Sequence, residues 1–228
     1  MPVLLAAFPG GWSGVRDYLH ERDLSPRVLG TSFKLIGSSA AQWEELFAFA
    51  RLAQDLEAPW LRVFGGGTWG TPLTAEDYKV AVAVVQRWRR EKEKHGWRAD
   101  LLVETHDAFS ASVPCRRLLD LLDEPVNFIW DSHHTWRLGH ESPDETWSAL
   151  APYVRHVHIK DSIDVPSARH PFTYVLPGEG EMPISAVLET LSRDAFFGAV
   201  SLEWEKMWHP YLPPLSEALT ACRQKGWL

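Results

Sequence analysis

The stretch LLVETHDAFSASVPCRRLLDLLDEPVNFIWD, residues 101–131, decides the fold. It opens on the aliphatic run LLVE (101–104), passes through Leu118, Leu119, Leu121 and Leu122, halts before Pro125, and resumes as VNFIWD (126–131). Short apolar runs rich in aliphatic and β-branched residues predict buried strands, the leucine pattern predicts a helix, and proline disfavours helical backbone in the residue before it. Strand, helix, strand is the parallel crossover unit. Both strands end on an acid, Glu104 and Asp131.

The same unit repeats on either side. Downstream, VRHVHI (154–159) carries His158 and AVSLE (199–203) ends on Glu203; upstream, Val3 to Phe8 stops at Pro9-Gly10-Gly11, Arg27 to Ile36 stops at Gly37, and Trp60 to Phe64 runs into Gly65-Gly66-Gly67. Helix starts fall between the runs: Ser39 with Gln42, Thr74 with Asp77, and Ser142-Pro143-Asp144-Glu145 each pair a capping side chain with an acid or amide three residues on. Further helices are expected from Pro183 to Leu191 and from Leu215 to Cys222. Seven strands are counted in this way. Residues 1–228 are therefore expected to form a single α/β domain, a TIM-type (β/α) barrel, trimmed or lacking one N-terminal strand, since a full barrel takes roughly 250 residues. Parallel strands bring their C-terminal ends to one face, so Glu104, Asp131, His158 and Glu203 are expected to converge there.

Composition narrows the function. Hydrophobic residues at 45% and charged residues at 23% suit a soluble globular chain, and no stretch is apolar enough to span a bilayer. The N-terminus has no basic segment before its apolar run and makes a poor signal peptide, so a cytoplasmic protein is expected. A net charge of −7 disfavours a surface built to neutralise phosphate backbones, so no nucleic-acid partner is expected. Cys115 and Cys222 lack metal-ligand spacing and read as two buried thiols. Twelve tryptophans are enough to line a pocket stacking on a small polar ligand, although core packing is the simpler reading of any one of them. The Trp and Leu faces leave a homodimer open.

Three carboxylates and an imidazole form a hard, mostly oxygen donor set, which suits one divalent ion, Mn²⁺ first, with Mg²⁺, Co²⁺ and Zn²⁺ also compatible. Taken singly, Asp131 could be a turn cap and Glu104 or Glu203 the partner of an arginine such as Arg62. Four acids and imidazoles at strand ends point instead to a cation that neutralises them.

The strings VETH (103–106), WDSHH (130–134), HVHIKD (156–161), PGEGEMPI (177–184) and GAVSLEWE (198–205) resemble the sugar phosphate isomerase/epimerase family of xylose isomerase-like barrels over about residues 40–228. The resemblance implies that Glu104, Asp131, His158 and Glu203 bind one divalent metal, and that Glu104 and Glu203 are the catalytic acid/base pair of an isomerase or epimerase acting through an enediolate. It also implies a substrate-side or auxiliary metal role for His134, ahead of His133. His106, Lys160, Arg62 and Trp130 complete the substrate-side candidates, with pairing to Asp161 as the plainer reading of Lys160. Some sugar epimerases of the family carry a Glu six residues beyond the first metal Glu and an Arg six beyond the metal His. This chain has Ser110 and Asp164 there, so its substrate contacts differ. A phosphate group would call on Lys160, Arg137, Arg169 or the Gly65–Gly67 backbone. The partner expected is a small carbohydrate or keto compound. A metal-dependent lyase of a cyclitol or dehydroshikimate type and a non-catalytic sugar-binding relative remain open, while the abasic-site endonucleases of this fold need histidines at earlier strand ends that are missing here.

Overall fold

A computed structural model describes residues 10–227. Six parallel strands form one sheet: β1 (Val28–Lys34), β2 (Trp60–Phe64), β3 (Asp100–Glu104), β4 (Asn127–Asp131), β5 (Val154–Ile159) and, last in the chain, β8 (Ala199–Leu202), in the order β1-β2-β3-β4-β5-β8. Helices α1 (Gly11–His20), α2 (Ala40–Asp55), α3 (Ala75–His95), α4 (Ser112–Asp120), α5 (Ser132–Arg137), α6 (Pro143–Leu150), α7 (Ile184–Arg193) and α8 (Leu215–Gln224) complete the alternation of a trimmed TIM-type barrel. Six of the seven expected strands are present. The seventh, Val3 to Phe8, lies outside the described residues.

Local chemistry sets the helix starts. Ser39, Thr74 and Ser142 each accept a hydrogen bond from the backbone N–H three residues on, while the side chains of Gln42, Asp77 and Glu145 accept one from the cap's own backbone N–H, closing three capping boxes that open α2, α3 and α6. Each satisfies two N–H groups that the helix cannot. The glycine run after β2 turns where a side chain could not. Gly66 has φ 83°, and a Cβ there would stand 2.5 Å from the Ile36 carbonyl oxygen; a Cβ on Gly65 would fall 2.0 Å from Phe109.

Alternation along the strands divides the sheet into two faces. Leu61, Val63, Leu101, Val103, Phe128, Trp130, Val157 and Ile159 join the cluster that the helices cover, with Trp88, Trp97 and Trp147. Arg62, Leu102, Glu104, Ile129, Asp131, His156 and His158 stand outside it, on the interior face. The segment after β5 brings an element the sequence reading missed, an antiparallel hairpin of β6 (Asp161–Ile163) and β7 (Thr173–Val175). Three-residue strands give too little alternation to be recognised. Asp161 anchors the loop that follows by accepting N–H groups of Gly178, Gly180 and Met182 at 2.8, 3.0 and 3.0 Å.

Cys115 and Cys222 are free and buried. Among the described residues no helix is long and apolar enough to cross a membrane.

Candidate metal centre and active site

Parallel registration carries the polar residues to one level. Phe64 pairs with Glu104, and Asp131 with His158. The Glu203 N–H donates to the Ile159 carbonyl at 3.0 Å, continuing the ladder one residue past β8. One donor atom from each of Glu104, Asp131, His158 and Glu203 lies within 4.8 Å of the others. Protein-bound divalent cations hold their donors at about 2.0–2.6 Å, so opposite donors stand up to about 5 Å apart and this spread fits a single ion. His158 Nδ1 makes no well-formed hydrogen bond, and it stands 3.8 Å from Glu104 Oε1 and 3.6 Å from Glu203 Oε2. A buried imidazole nitrogen aimed between two carboxylates, with Asp131 beside them, is a donor set that fits a divalent metal.

Cationic side chains of the chain itself also enter this cluster, beside the place expected for a neutralising ion. Arg62 Nη1 donates to Glu104 Oε2 at 3.0 Å. Lys160, 3% exposed, sends Nζ to Glu203 Oε2 at 2.5 Å, Asp131 Oδ2 at 2.8 Å and Glu205 Oε1 at 3.0 Å. It is no surface lysine paired with Asp161, because Asp161 is spent on backbone N–H groups. Arg62 likewise is engaged by Glu104, with its side chain 24% exposed.

Burial and charge oppose each other at Glu104, Asp131, Glu203, His158 and Lys160. Burial raises the pKa values of Glu104, Asp131 and Glu203, yet nearby cations prevail and leave all three below the ordinary carboxylate range: His158 and Arg62 at Glu104, His134 and Lys160 at Asp131, Lys160 and His158 at Glu203. Burial disfavours the charge of His158, but Glu203 and Glu104 outweigh it and raise its pKa to about 10. Lys160 is raised well above its usual value against its own burial, chiefly by Asp131 and Glu203. His156, buried beneath and close to the charged His158, is pushed down to about 4.

The other candidates fall on different sides of this centre. His134 is fastened to Asp131, its N–H donating to Oδ1 at 3.0 Å and its Nδ1 2.8 Å from Oδ2. His106, 37% exposed, stands at the rim between the Phe64 and His134 rings, with Nδ1 3.0 Å from Asp107 Oδ1. His133 is turned away, its Nε2 2.8 Å from Ser162 Oγ and its ring against Phe172 and Tyr174. Trp130, expected at the substrate, is in the helix-facing core instead. It has no exposed surface, packs on Trp147 and donates to Thr135 Oγ1 at 2.9 Å, because its position next to Asp131 in a strand forces it to the opposite face. Glu205 was not among the expected site residues; its position two beyond Glu203 in an extended segment was the available signal. Of the cations considered for a phosphate, Arg137 is bound to Glu181 at 2.8 Å and Lys160 is enclosed by carboxylates.

The four donors open to solvent unequally. The Glu203 side chain is 24% exposed and that of Glu104 is 1% exposed. A cavity of about 680 Å³, lined by Trp69, Trp136, Arg137 and Phe172 among others, touches none of the four. Size alone does not make it the reactive centre, because it gathers no comparable donor set.

This fold belongs to a known class. The chain is a member of the xylose isomerase-like TIM barrel family, whose sequence profile matches residues 11–225. Among solved structures it is similar to the probable 3-DHS dehydratase AsbF involved in petrobactin synthesis from Bacillus anthracis, at 20% identity and TM-score 0.71 over 84% of this chain and 74% of that one. It is similar to the IolI protein, solved with a zinc atom bound, at 17% identity and TM-score 0.72 over 93% and 79%. D-allulose 3-epimerase from Methylomonas sp., solved in complex with D-allulose, matches at 18% identity and TM-score 0.64 over 84% and 68%. At these identities the likeness is one of fold. Among curated proteins there is no match.

Proposed function

We propose that the chain is a divalent-metal-dependent isomerase or epimerase of a small sugar or related keto compound, with Glu104, Asp131, His158 and Glu203 holding the metal. The observation that carries this reading is the convergence of those four donors within 4.8 Å at the strand ends of the barrel. When bound, the cation supplies Lewis-acid stabilisation of negative charge developing on substrate oxygens. The chain's own residues do the rest. Glu203, partly open to solvent, takes and returns the proton on the carbon beside the substrate carbonyl; Glu104 is its counterpart for inversion. His106 at the rim offers a polar contact to a substrate hydroxyl, and His134 holds Asp131 in orientation. Mn²⁺ is the ion proposed, since carboxylate oxygens dominate the set. A free sugar is favoured over a sugar phosphate, because Lys160 and Arg137 are both committed to internal carboxylates.

A second reading, a dehydratase acting on a cyclitol or a dehydroshikimate-like compound, is favoured by one observation. Glu104 is closed off by Arg62 and His158, which leaves Glu203 as the one accessible carboxylate of the set. A single base suffices for enolate formation followed by loss of a β-hydroxyl.

The test is a panel of ketohexoses including D-allulose, ketopentoses including L-ribulose, cyclitols and keto acids, incubated in deuterated buffer with the Mn²⁺-loaded protein. Deuterium entering the carbon beside the carbonyl with no loss of water supports the isomerase or epimerase. A conjugated product with water lost selects the dehydratase. No exchange into any member, from protein that binds Mn²⁺, would leave a non-catalytic binding protein.

A further inference from the structure

Lys160 stands where the charge of a bound cation would act. Two of the three carboxylates around Nζ, Asp131 and Glu203, belong to the donor set, and the third, Glu205, does not. A carboxylate oxygen in close contact with an ammonium cannot offer the same lone pair to a metal, and a divalent ion a few ångströms from a buried ammonium is repelled by it. Entry of a cation therefore requires movement. Asp131 is short and pinned by the His134 N–H at 3.0 Å, whereas lysine carries its charge on a flexible four-carbon stem. Glu205 Oε1 is already 3.0 Å from Nζ, so the ammonium can release Asp131 and Glu203 without becoming an unpaired buried charge, which would be costly. The far oxygen of Glu205, Oε2, lies 3.6 Å from His209 Nε2, which steadies the carboxylate from behind.

Resting on the metal centre proposed above, we infer that Lys160 is an internal counter-ion competing with the divalent cation for Asp131 and Glu203, and that Glu205 is the seat to which its ammonium retires when the cation binds. The Lys160–Glu205 pair thereby sets the affinity of the centre. It also keeps the acidic cluster folded in the absence of metal.

Titration calorimetry of Mn²⁺ into the full-length wild type, Lys160→Met and Glu205→Gln, with thermal melting of the same metal-free proteins, tests this. Lys160→Met removes the competitor at similar side-chain length, so Mn²⁺ should bind at least about ten-fold tighter while the metal-free melting temperature falls. Glu205→Gln removes the seat, so Mn²⁺ should bind at least about ten-fold weaker. Weaker binding by Lys160→Met, with the wild type still taking one ion, overturns the competition and makes Lys160 a residue that orients the ligands for metal. Unchanged affinity in both variants overturns it as well. If Lys160→Met fails to fold, Glu205→Gln carries the test by itself, and unchanged or tighter binding there sinks the inference. A wild type without saturable Mn²⁺ binding overturns the metal centre itself, and the inference with it.

Discussion

On the helix-facing side of the sheet, Leu101, Val103, Phe128, Trp130 and Val157 are buried among Trp88, Trp147 and the other residues of the main core. On the interior side, Glu104, Asp131 and Lys160 are buried as deeply, but among opposite charges rather than hydrocarbon. Trp130 and Asp131 are neighbours in the chain and lie in different worlds. The outer face is held by area removed from water, roughly 25 cal/mol per Å², and tolerates no lost volume. The inner face is held by charge compensation, which stabilises only while every partner is in place. The first makes the fold, and the second makes a site.

The sharpest way to separate the faces is to delete from each. Trp130→Ala should cost about 3–5 kcal/mol in denaturant unfolding, because a large aromatic leaves a cavity that neighbours fill only in part. The folded variant should still be stabilised by Mn²⁺; loss of that response at conditions where it remains folded would mean that the two faces are not independent. Next in size, Mn²⁺ at about a hundred times its Kd should add ~2.7 kcal/mol to the unfolding free energy of the wild type and nothing measurable to Glu203→Gln. An equal response from the variant would remove Glu203 from the donor set.

Acidity sharpens the contrast further, since the buried carboxylates and His158 all lie on the inner face. The folded metal-free protein raises the pKa of His158 to about 10 from 6.5, so it holds that proton more tightly than the unfolded chain does. The resulting stability is complete below about pH 6.5 and is lost as pH rises through 10. Glu104, Asp131 and Glu203 are depressed, so their contribution is present above the ordinary carboxylate range and is lost as pH falls through and below it. Metal binding requires neutral His158, so Mn²⁺ affinity should climb between pH 6.5 and 9 while metal-free stability declines. Melting curves flat over that interval, with and without Mn²⁺, would contradict the charged His158. The smallest effect concerns neither face. Ser142→Ala should cost about 1 kcal/mol through the α6 cap and leave Mn²⁺ affinity unchanged, as thermal melting and calorimetry would report.

Much of this architecture was legible in the chain. The capping boxes at Ser39, Thr74 and Ser142 are present as read, because they depend on residues three apart and on little else. The run Trp60–Phe64 is β2 to the residue, and the strand bearing His158 begins at Val154 and ends at Ile159 as expected. The β6–β7 hairpin escaped notice because its strands are too short to show a period. At the site, the gathering of Glu104, Asp131, His158 and Glu203 follows from strand-end position in a parallel sheet. The error at Trp130 came from nearness in sequence, where strand geometry sends adjacent side chains to opposite faces. The alternative reading of Lys160, pairing with the adjacent Asp161, is not met, because Asp161 accepts backbone N–H groups instead. Four of the neighbours of Lys160 in space, Asp131, Tyr174, Glu203 and Glu205, come from other parts of the chain.

The sequence by itself determined the alternation of strands and helices, the helix starts and which four strand-end side chains converge, because periodicity, capping and parallel connection are local or nearly local rules. Only the tertiary structure decided how the donors are charged and who neutralises them. Arg62 reaches Glu104 from a neighbouring strand, and Lys160 reaches Asp131, Glu203 and Glu205 across the end of the barrel. Coulomb energy depends on distance and local dielectric, and both of these are set by burial in the folded chain rather than by spacing along it.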